Sequence, residues 1–412
     1  MKKTLVAMAA LAAIGTASAQ SSVTVFGVFD ASYSINKGSV SDVSGIAYGN
    51  LSTSRIGFRG IEDIGGGLKA GFWLESEFDG SSGAGQSGTS LDNTTAAVGG
   101  ANGLTFGRRA TVSILGNFGE FRIGRDYVPT YANESDFSAT GRVGVASSII
   151  TQVNVVGTTR SRASNGIQYV LPSNLGGFYG EFTYAFGEQA DNAGIPAGAL
   201  EDNGTYYGGR IGFKTGPFNI AASAGKTDVT RTGAGNGSGV DAVNTAPQGN
   251  DRSVVNAGVS YDFGVIKLFG LYSVQTQDNT VANGVGWSAL TAVQGRDLEA
   301  KGYAIGVTVP FGKSSFKASY SSLDLENGLG AGTEPSADKI ALSYQYDLSK
   351  RTALYASYAR VKNNDSAAGA PGNTGLTAGG GSSVRQRGLS GVAQTSTTSS
   401  SNGFDFGIRH NF

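Results

Sequence analysis

The chain has 412 residues, including 65 Gly, 8 Pro, no Cys and a single His, and its 31 Lys and Arg balance 31 Asp and Glu. Zero formal charge argues against a whole-chain nucleic-acid binder or an acidic disordered tail, and abundant Gly without a Gly-x-y period excludes collagen. With no Cys and only His410, neither a structural zinc cage nor a His-based catalytic triad can be built.

The first element is a leader. Lys2 and Lys3 precede an apolar run from Leu5 to Ile14, followed by Gly15 and the small-residue triplet Ala17, Ser18 and Ala19. That pattern predicts a secretory signal cut after Ala19. The run is about half of the roughly 20 residues that a helix needs to cross a bilayer. The chain therefore divides into 1–19, removed on export, and 20–412, one domain. Losing two lysines leaves 29 basic against 31 acidic side chains. No later apolar stretch is long enough for a spanning helix. The exported chain is then either soluble or crosses a membrane as a closed barrel, where every backbone group pairs internally.

From Gln20 onward the pattern alternates with period two, the signature of strands with unlike faces. Strands are predicted at 23–35, 53–62, 67–79, 102–115, 117–126, 161–171, 175–187 and 204–214. The series continues at 217–228, 252–263, 264–276, 299–310, 313–325, 337–348, 350–362 and 402–412. In 67–79, Leu68, Ala70, Phe72, Leu74 and Phe78 share one face, while Lys69, Trp73, Glu75, Glu77 and Asp79 share the other. The mean hydropathy of -0.11 hides this, because averaging cancels alternation.

The connections alternate too. Short links near 62–67, 116–117, 172–176, 216–217, 263–264, 311–312 and 349–350 take turns with long ones at 36–52, 80–101, 127–160, 188–203, 229–251, 277–298, 326–336 and 363–401. Tight periplasmic turns and long extracellular loops give a transmembrane barrel this asymmetry. The predicted fold is all-β: a sixteen-stranded antiparallel transmembrane β-barrel. Strand-end aromatics such as Tyr33, Tyr127, Tyr206, Tyr261, Phe263 and Phe311 are expected in two interfacial girdles. Glycines inside strands, such as Gly57 and Gly306, are expected where a large side chain or the wall's curvature leaves no room for a Cβ.

Three motifs carry a family resemblance. They are S-R-I-G-F-R-G-I-E-D-I-G-G-G-L-K-A from Ser54 to Ala70, F-G-E-F-R-I-G-R-D-Y from Phe118 to Tyr127, and the ending G-I-R-H-N-F at Phe412. The sequence resembles the Gram-negative general porins, in particular their beta-proteobacterial branch, over essentially the whole mature chain. The resemblance implies a water-filled outer-membrane barrel, normally a homotrimer, whose third loop folds inward to form a constriction. It also implies that Phe412 is the signal read by the outer-membrane assembly machinery.

Strand parity then nominates the pore lining. Outward Ile56 and Phe58 turn Arg55 and Arg59 inward, and the same rule places Arg109, Arg122 and Arg162 in the lumen and leaves Arg108 ambiguous. Arg125 has lipid-facing parity, so a bulge is expected to redirect it to the pore, where the family carries an arginine. Glu134 and Asp136 on the third loop are the expected opposing charges, giving a transverse field across the constriction. Asp126 is read as a structural partner of Arg125. The Gly-Lys-Thr and Gly-Lys-Ser runs at 225–227 and 312–314 lack the earlier Gly of a phosphate-binding loop.

The expected function is passive diffusion of small hydrophilic solutes and ions, with no cofactor, no metal, no catalytic residue and no nucleic-acid partner. The alternative is a substrate-specific channel with a saturable binding track. Outer-membrane lipid and lipopolysaccharide are the expected surroundings.

Overall fold

The alternating pattern builds strands with one apolar and one polar face, and closure of the sheet decides which face is inside. The computed structural model describes residues 22–38, 42–80, 82–86, 103–151, 161–187, 204–231, 248–249, 251–278, 297–326, 336–364 and 400–412. The leader and most long-loop tips, including 87–102, 188–203, 232–247 and 365–399, lie outside the described residues.

Sixteen strands form the barrel. They are β1 (Ser22–Gly38), β2 (Arg55–Gly65), β3 (Leu68–Phe78), β4 (Arg109–Gly116), β5 (Gly119–Tyr127), β6 (Arg162–Val170), β7 (Phe178–Ala185) and β8 (Tyr206–Thr215). The second half comprises β9 (Phe218–Thr227), β10 (Arg252–Asp262), β11 (Lys267–Gln277), β12 (Leu298–Phe311), β13 (Ser314–Glu326), β14 (Ser336–Asp347), β15 (Thr352–Asn364) and β16 (Ser400–Asn411). Each pairs antiparallel with the next, and β16 returns to β1 from Val28↔Asn411 to Gly38↔Ser401. Closure leaves no edge, as a hydrocarbon environment requires.

Two local differences from the predicted strands have clear causes. The link 36–52 contains a further strand, Asp42–Tyr48, paired with β1 from Ala31↔Tyr48 to Lys37↔Asp42. The start of β1 pairs with β2 only as far as Val28↔Arg55, so its later half is free to take this partner. The fourth strand begins at Arg109 rather than 102, because residues 103–108 have no regular structure and Arg108 is drawn into side-chain pairing.

The faces are those the pattern required. On β10, Val255, Val259 and Tyr261 are exposed, while Asn256 and Ser260 are buried. Ile123 on β5 and Ile211 on β8 likewise stand exposed on the outer face. The girdle assignment needs two corrections. Tyr206 is fully buried with Val128, Ala163 and Ala185, and Tyr127 turns inward to arginine partners. Tyr33, Tyr261, Phe263 and Phe311 stay on the outer face.

What covers the buried face of β9–β15 is the segment after β5. It carries helix α1 (Pro129–Asp136) and a single 3-10 turn, Ile149–Thr151. Pro129 suits the first turn, where its missing N–H has no helical partner to lose. Val145, Ala146 and Ile149 pack against Leu298, Leu323 and Val361, and Phe137 with Ile150 packs against Ala221, Leu271 and Ala304. Gly258 is what lets Phe137 approach, since a Cβ there would lie 2.1 Å from the ring. At the far end, the Val145 N–H donates to Asp405 (3.0 Å), whose other oxygen accepts from Ser34.

Candidate functional site

The inner face of β2–β6 is an arginine wall, and ladder pairing assembles it. Pairing of β2 with β3 sets Arg55 opposite Glu77, and pairing of β3 with β4 sets Glu75 opposite Arg109. Glu75 and Glu77 are two residues apart and so share a face. Arg108, just ahead of β4, bonds both: Nε reaches Glu75 at 2.5 Å and a terminal nitrogen reaches Glu77 at 3.1 Å. Its other terminal nitrogen donates to the Tyr127 hydroxyl at 2.7 Å. Burial alone would lower the Arg108 guanidinium's affinity for its proton; the neighbouring acidic groups more than offset this and hold it protonated.

The remaining sequence-nominated arginines cluster on the same wall. Arg55 lies 3.7 Å from Glu75 and donates to the Thr53 carbonyl and the Ser52 hydroxyl. Arg162 donates to the Tyr127 hydroxyl at 2.7 Å and lies over that ring. Arg109 pairs with Asp126 at 3.2 Å, and Arg122 bonds Glu120, Gln168 and Asp126. Asp126 is therefore a structural acid, as expected, but its partners are Arg109 and Arg122 rather than its neighbour Arg125. Arg125 sits at a register shift between Gly124 and Asp126, the expected bulge, and donates to the Gly107 carbonyl and the Ser164 hydroxyl. Arg59 stands apart on the same strand as Arg55, against Phe26 and Trp73.

The loop acids do not oppose this wall as free charges. Glu134 is fully buried, 2.6 Å from Arg142, and accepts from the Ser273 hydroxyl on β11. Burial would lower the Arg142 proton affinity, but the Glu134 carboxylate beside it reverses the shift. Asp136 pairs with Arg210 on β8 at 2.5 Å. The same Arg210 donates to Asn133, whose amide donates to Asn256 on β10 at 2.7 Å. Asn256 in turn donates to the Thr130 carbonyl. Helix α1 is thus tied to β8, β10 and β11, not aimed across the lumen. Tyr127 and Tyr131 stack at 4.6 Å, with Arg142 over the second ring, which ties the arginine wall to the start of the helix.

Three residues of this arrangement escaped sequence reasoning. Arg210 had a usable signal, because Ile211 is outward and parity turns its neighbour inward. Asn256 carried the same signal beside outward Val255. Arg142 had none, since it lies in a segment without periodicity. Residues 152–160 of the same loop lie outside the described residues. Elsewhere, the His410 ring lies 2.9 Å from the Thr352 hydroxyl, and Lys226 of the Gly-Lys-Thr run pairs with Asp251. Phe412 pairs through its own N–H and carbonyl with Gly27.

Comparisons with known proteins agree with this fold. The family model described as Gram-negative porin matches residues 4–366. Outer membrane porin protein 32 of Delftia acidovorans is 37% identical over 420 residues, covering 100% of each chain. The solved anion-selective porin from Comamonas acidovorans superposes with a TM-score of 0.70 at 31% identity, over 95% of this chain and 100% of that one. The trimer form of OmpT from Vibrio cholerae, at 14% identity and a TM-score of 0.61 over 95% and 99%, shares the fold alone.

Proposed function

Because this chain belongs to the Gram-negative porin family, we infer that its barrel lets anions through the outer membrane more readily than cations. The general function is that of an outer-membrane porin, passive diffusion of small hydrophilic solutes and ions, and the proteins it matches are channels rather than enzymes. The anion preference is carried by one observation. Seven arginines (Arg55, Arg59, Arg108, Arg109, Arg122, Arg125 and Arg162) share the inner wall with five carboxylates, Glu75, Glu77, Glu120, Asp126 and, on β7, Glu181. Both described acids of helix α1 are already paired elsewhere and do not cancel that excess. A narrow, low-dielectric-walled passage concentrates the counter-ion of its net charge. The relative described as anion-selective points the same way.

In this reading the segment 128–151 narrows the lumen from the β9–β15 side. Water and solutes then pass along Arg55, Arg108, Arg109 and Arg162. Residues 1–19 are removed on export, the mature chain forms a homotrimer, Phe412 serves assembly, and the exposed apolar face meets lipid and lipopolysaccharide.

Planar-bilayer recording tests the function directly. Under a potassium chloride gradient the reversal potential is expected at the chloride side of zero, with conductance appearing in triplet steps. A reversal potential at the potassium side would overturn the anion preference. The intact mass of purified protein is expected to begin at Gln20.

A further inference from the structure

The outer face carries charge at its extracellular end, and the charge changes sign between strands. On β12–β14 the outward positions hold Glu299, Asp324, Glu326 and Asp338 against one cation, Lys301. Lys301 is spent between Glu299 (3.0 Å) and Glu326 (2.7 Å). On β15 the outward positions hold Arg360 and Lys362, both exposed and on the parity of exposed Leu354. No carboxylate among the described residues lies within ion-pair distance of either. Asp338 is opposite Lys362 in the ladder, but it accepts from the Tyr320 hydroxyl (2.7 Å) and the Asn364 amide (3.0 Å).

Ladder pairing extends the basic patch sideways. Arg360 is opposite Asn402 on β16, and Asn402 is opposite exposed Lys37 on β1. At the usual strand spacings Lys37 stands about 10 Å from Arg360, and Lys362 about 7 Å from it. Toward the bilayer centre the patch gives way to rings and then to aliphatic groups. Tyr358 and Phe404 meet at 4.8 Å, and the Tyr358 hydroxyl donates to Asn402 at 2.9 Å. Beyond them Leu354, Phe406 and Ile408 are exposed. Cations, then rings, then hydrocarbon is the order of layers that a membrane interface imposes.

We propose that Arg360 and Lys362, with Asn402 and Lys37 beside them, bind a phosphate of an outer-leaflet lipopolysaccharide whose acyl chains lie over Phe404, Phe406 and Ile408. The proposal rests on the reading that the exposed apolar face meets lipid and lipopolysaccharide, and it places the headgroup on that face. Charge complementarity selects the phosphate. Two unspent cations on one face share its oxygens, the guanidinium as a planar fork and the ammonium as a point charge. The apolar strip below them selects a phosphate carried on acyl chains over a free one. The acidic rim of β12–β14 repels phosphate, which confines the seat to β15, β16 and β1.

The test is native mass spectrometry of the intact protein from mild detergent, titrated with bisphosphorylated lipid A. Wild type is expected to bind it more tightly than the same lipid with its phosphates removed. Arg360→Gln combined with Lys362→Gln is expected to weaken binding about thirtyfold, or about fivefold for each surface charge lost. Arg360→Lys combined with Lys362→Arg keeps both charges and is expected to bind like wild type. Lys301→Gln removes a cation that Glu299 and Glu326 already hold, and is expected to change nothing. Equal weakening by Lys301→Gln would reduce the patch to general surface charge and overturn the site. Displacement of bound lipid A by equimolar inorganic phosphate would also overturn it, because the acyl chains would then contribute nothing. Loss of the oligomer in the Gln double variant would make this face a contact between copies instead. Binding that ignores the Gln double variant removes the site alone, whereas wild type that takes up neither form of the lipid removes the underlying reading with it.

Discussion

Arg108→Ala is expected to lower both the stability of the barrel and its preference for chloride. The guanidinium is buried and holds three acceptors at once: Glu75, Glu77 and the Tyr127 hydroxyl. Removing one partner of a buried ion pair costs about 3–5 kcal/mol, because the charge left behind has lost both water and cation. The nearby Arg55, at 3.7 Å from Glu75, takes up part of that loss, so about 3 kcal/mol is the expected size. The same change removes one positive charge from the wall and bares two negative ones, so the reversal potential moves toward potassium. Denaturant unfolding of the purified barrel and reversal potentials measure the two effects. Arg108→Ala combined with Glu75→Gln should recover part of the stability, since the double change removes one of the two stranded charges and leaves Glu77. Equal stability in the single and double variants would show that the pair is not coupled.

Arg142→Ala is expected to act on the pore rather than on the wall. Glu134 is fully buried, and the substitution removes the guanidinium that lies 2.6 Å from its carboxylate. A carboxylate in that position is destabilised by about 3–5 kcal/mol unless it moves to water or takes a proton. The cheapest relief is to release the segment, since the sixteen strands do not depend on it for their ladder. Single-channel recording is expected to show larger and noisier conductance than wild type. The pair Arg142→Met with Glu134→Gln removes both charges and should return the quiet, smaller conductance. A quiet channel of wild-type size in Arg142→Ala would mean that the apolar contacts of Phe137, Val145 and Ile149 hold the segment unaided.

The two variants also separate what could be read in the residues from what could not. Arg55, Arg59, Arg109, Arg122 and Arg162 were legible because a strand's period of two ties each to an outward apolar neighbour. Arg125 was legible as an exception, because its parity conflicted with its charge, and the bulge at Gly124 to Asp126 resolves the conflict. Parity says nothing about partners. It put Asp126 with Arg125 by adjacency, whereas the ladder brings in Arg109 and Arg122. It also cannot treat the third loop, which has no period. Glu134 and Asp136 read as pore charges there, and the structure pairs them with Arg142 and Arg210. Tyr127 and Tyr206 left the girdle for a similar reason: position at a strand end does not reveal which face a ring takes when arginine or a packed segment waits inside.

By itself, the amino-acid sequence determined the sixteen strands, their alternating faces, the rhythm of short and long links and the row of inward arginines. All of these are local: they follow from spacing along one chain and from the cost of placing charge against hydrocarbon. Tertiary structure alone decided the charge balance of the lumen. Some of its ion pairs join residues far apart in the chain, 33 positions for Arg108 with Glu75 and 74 for Asp136 with Arg210, and only the folded barrel brings those residues together. Which charges face water, and which are spent on one another, depends on that fold, and so the proposed preference for anions does too.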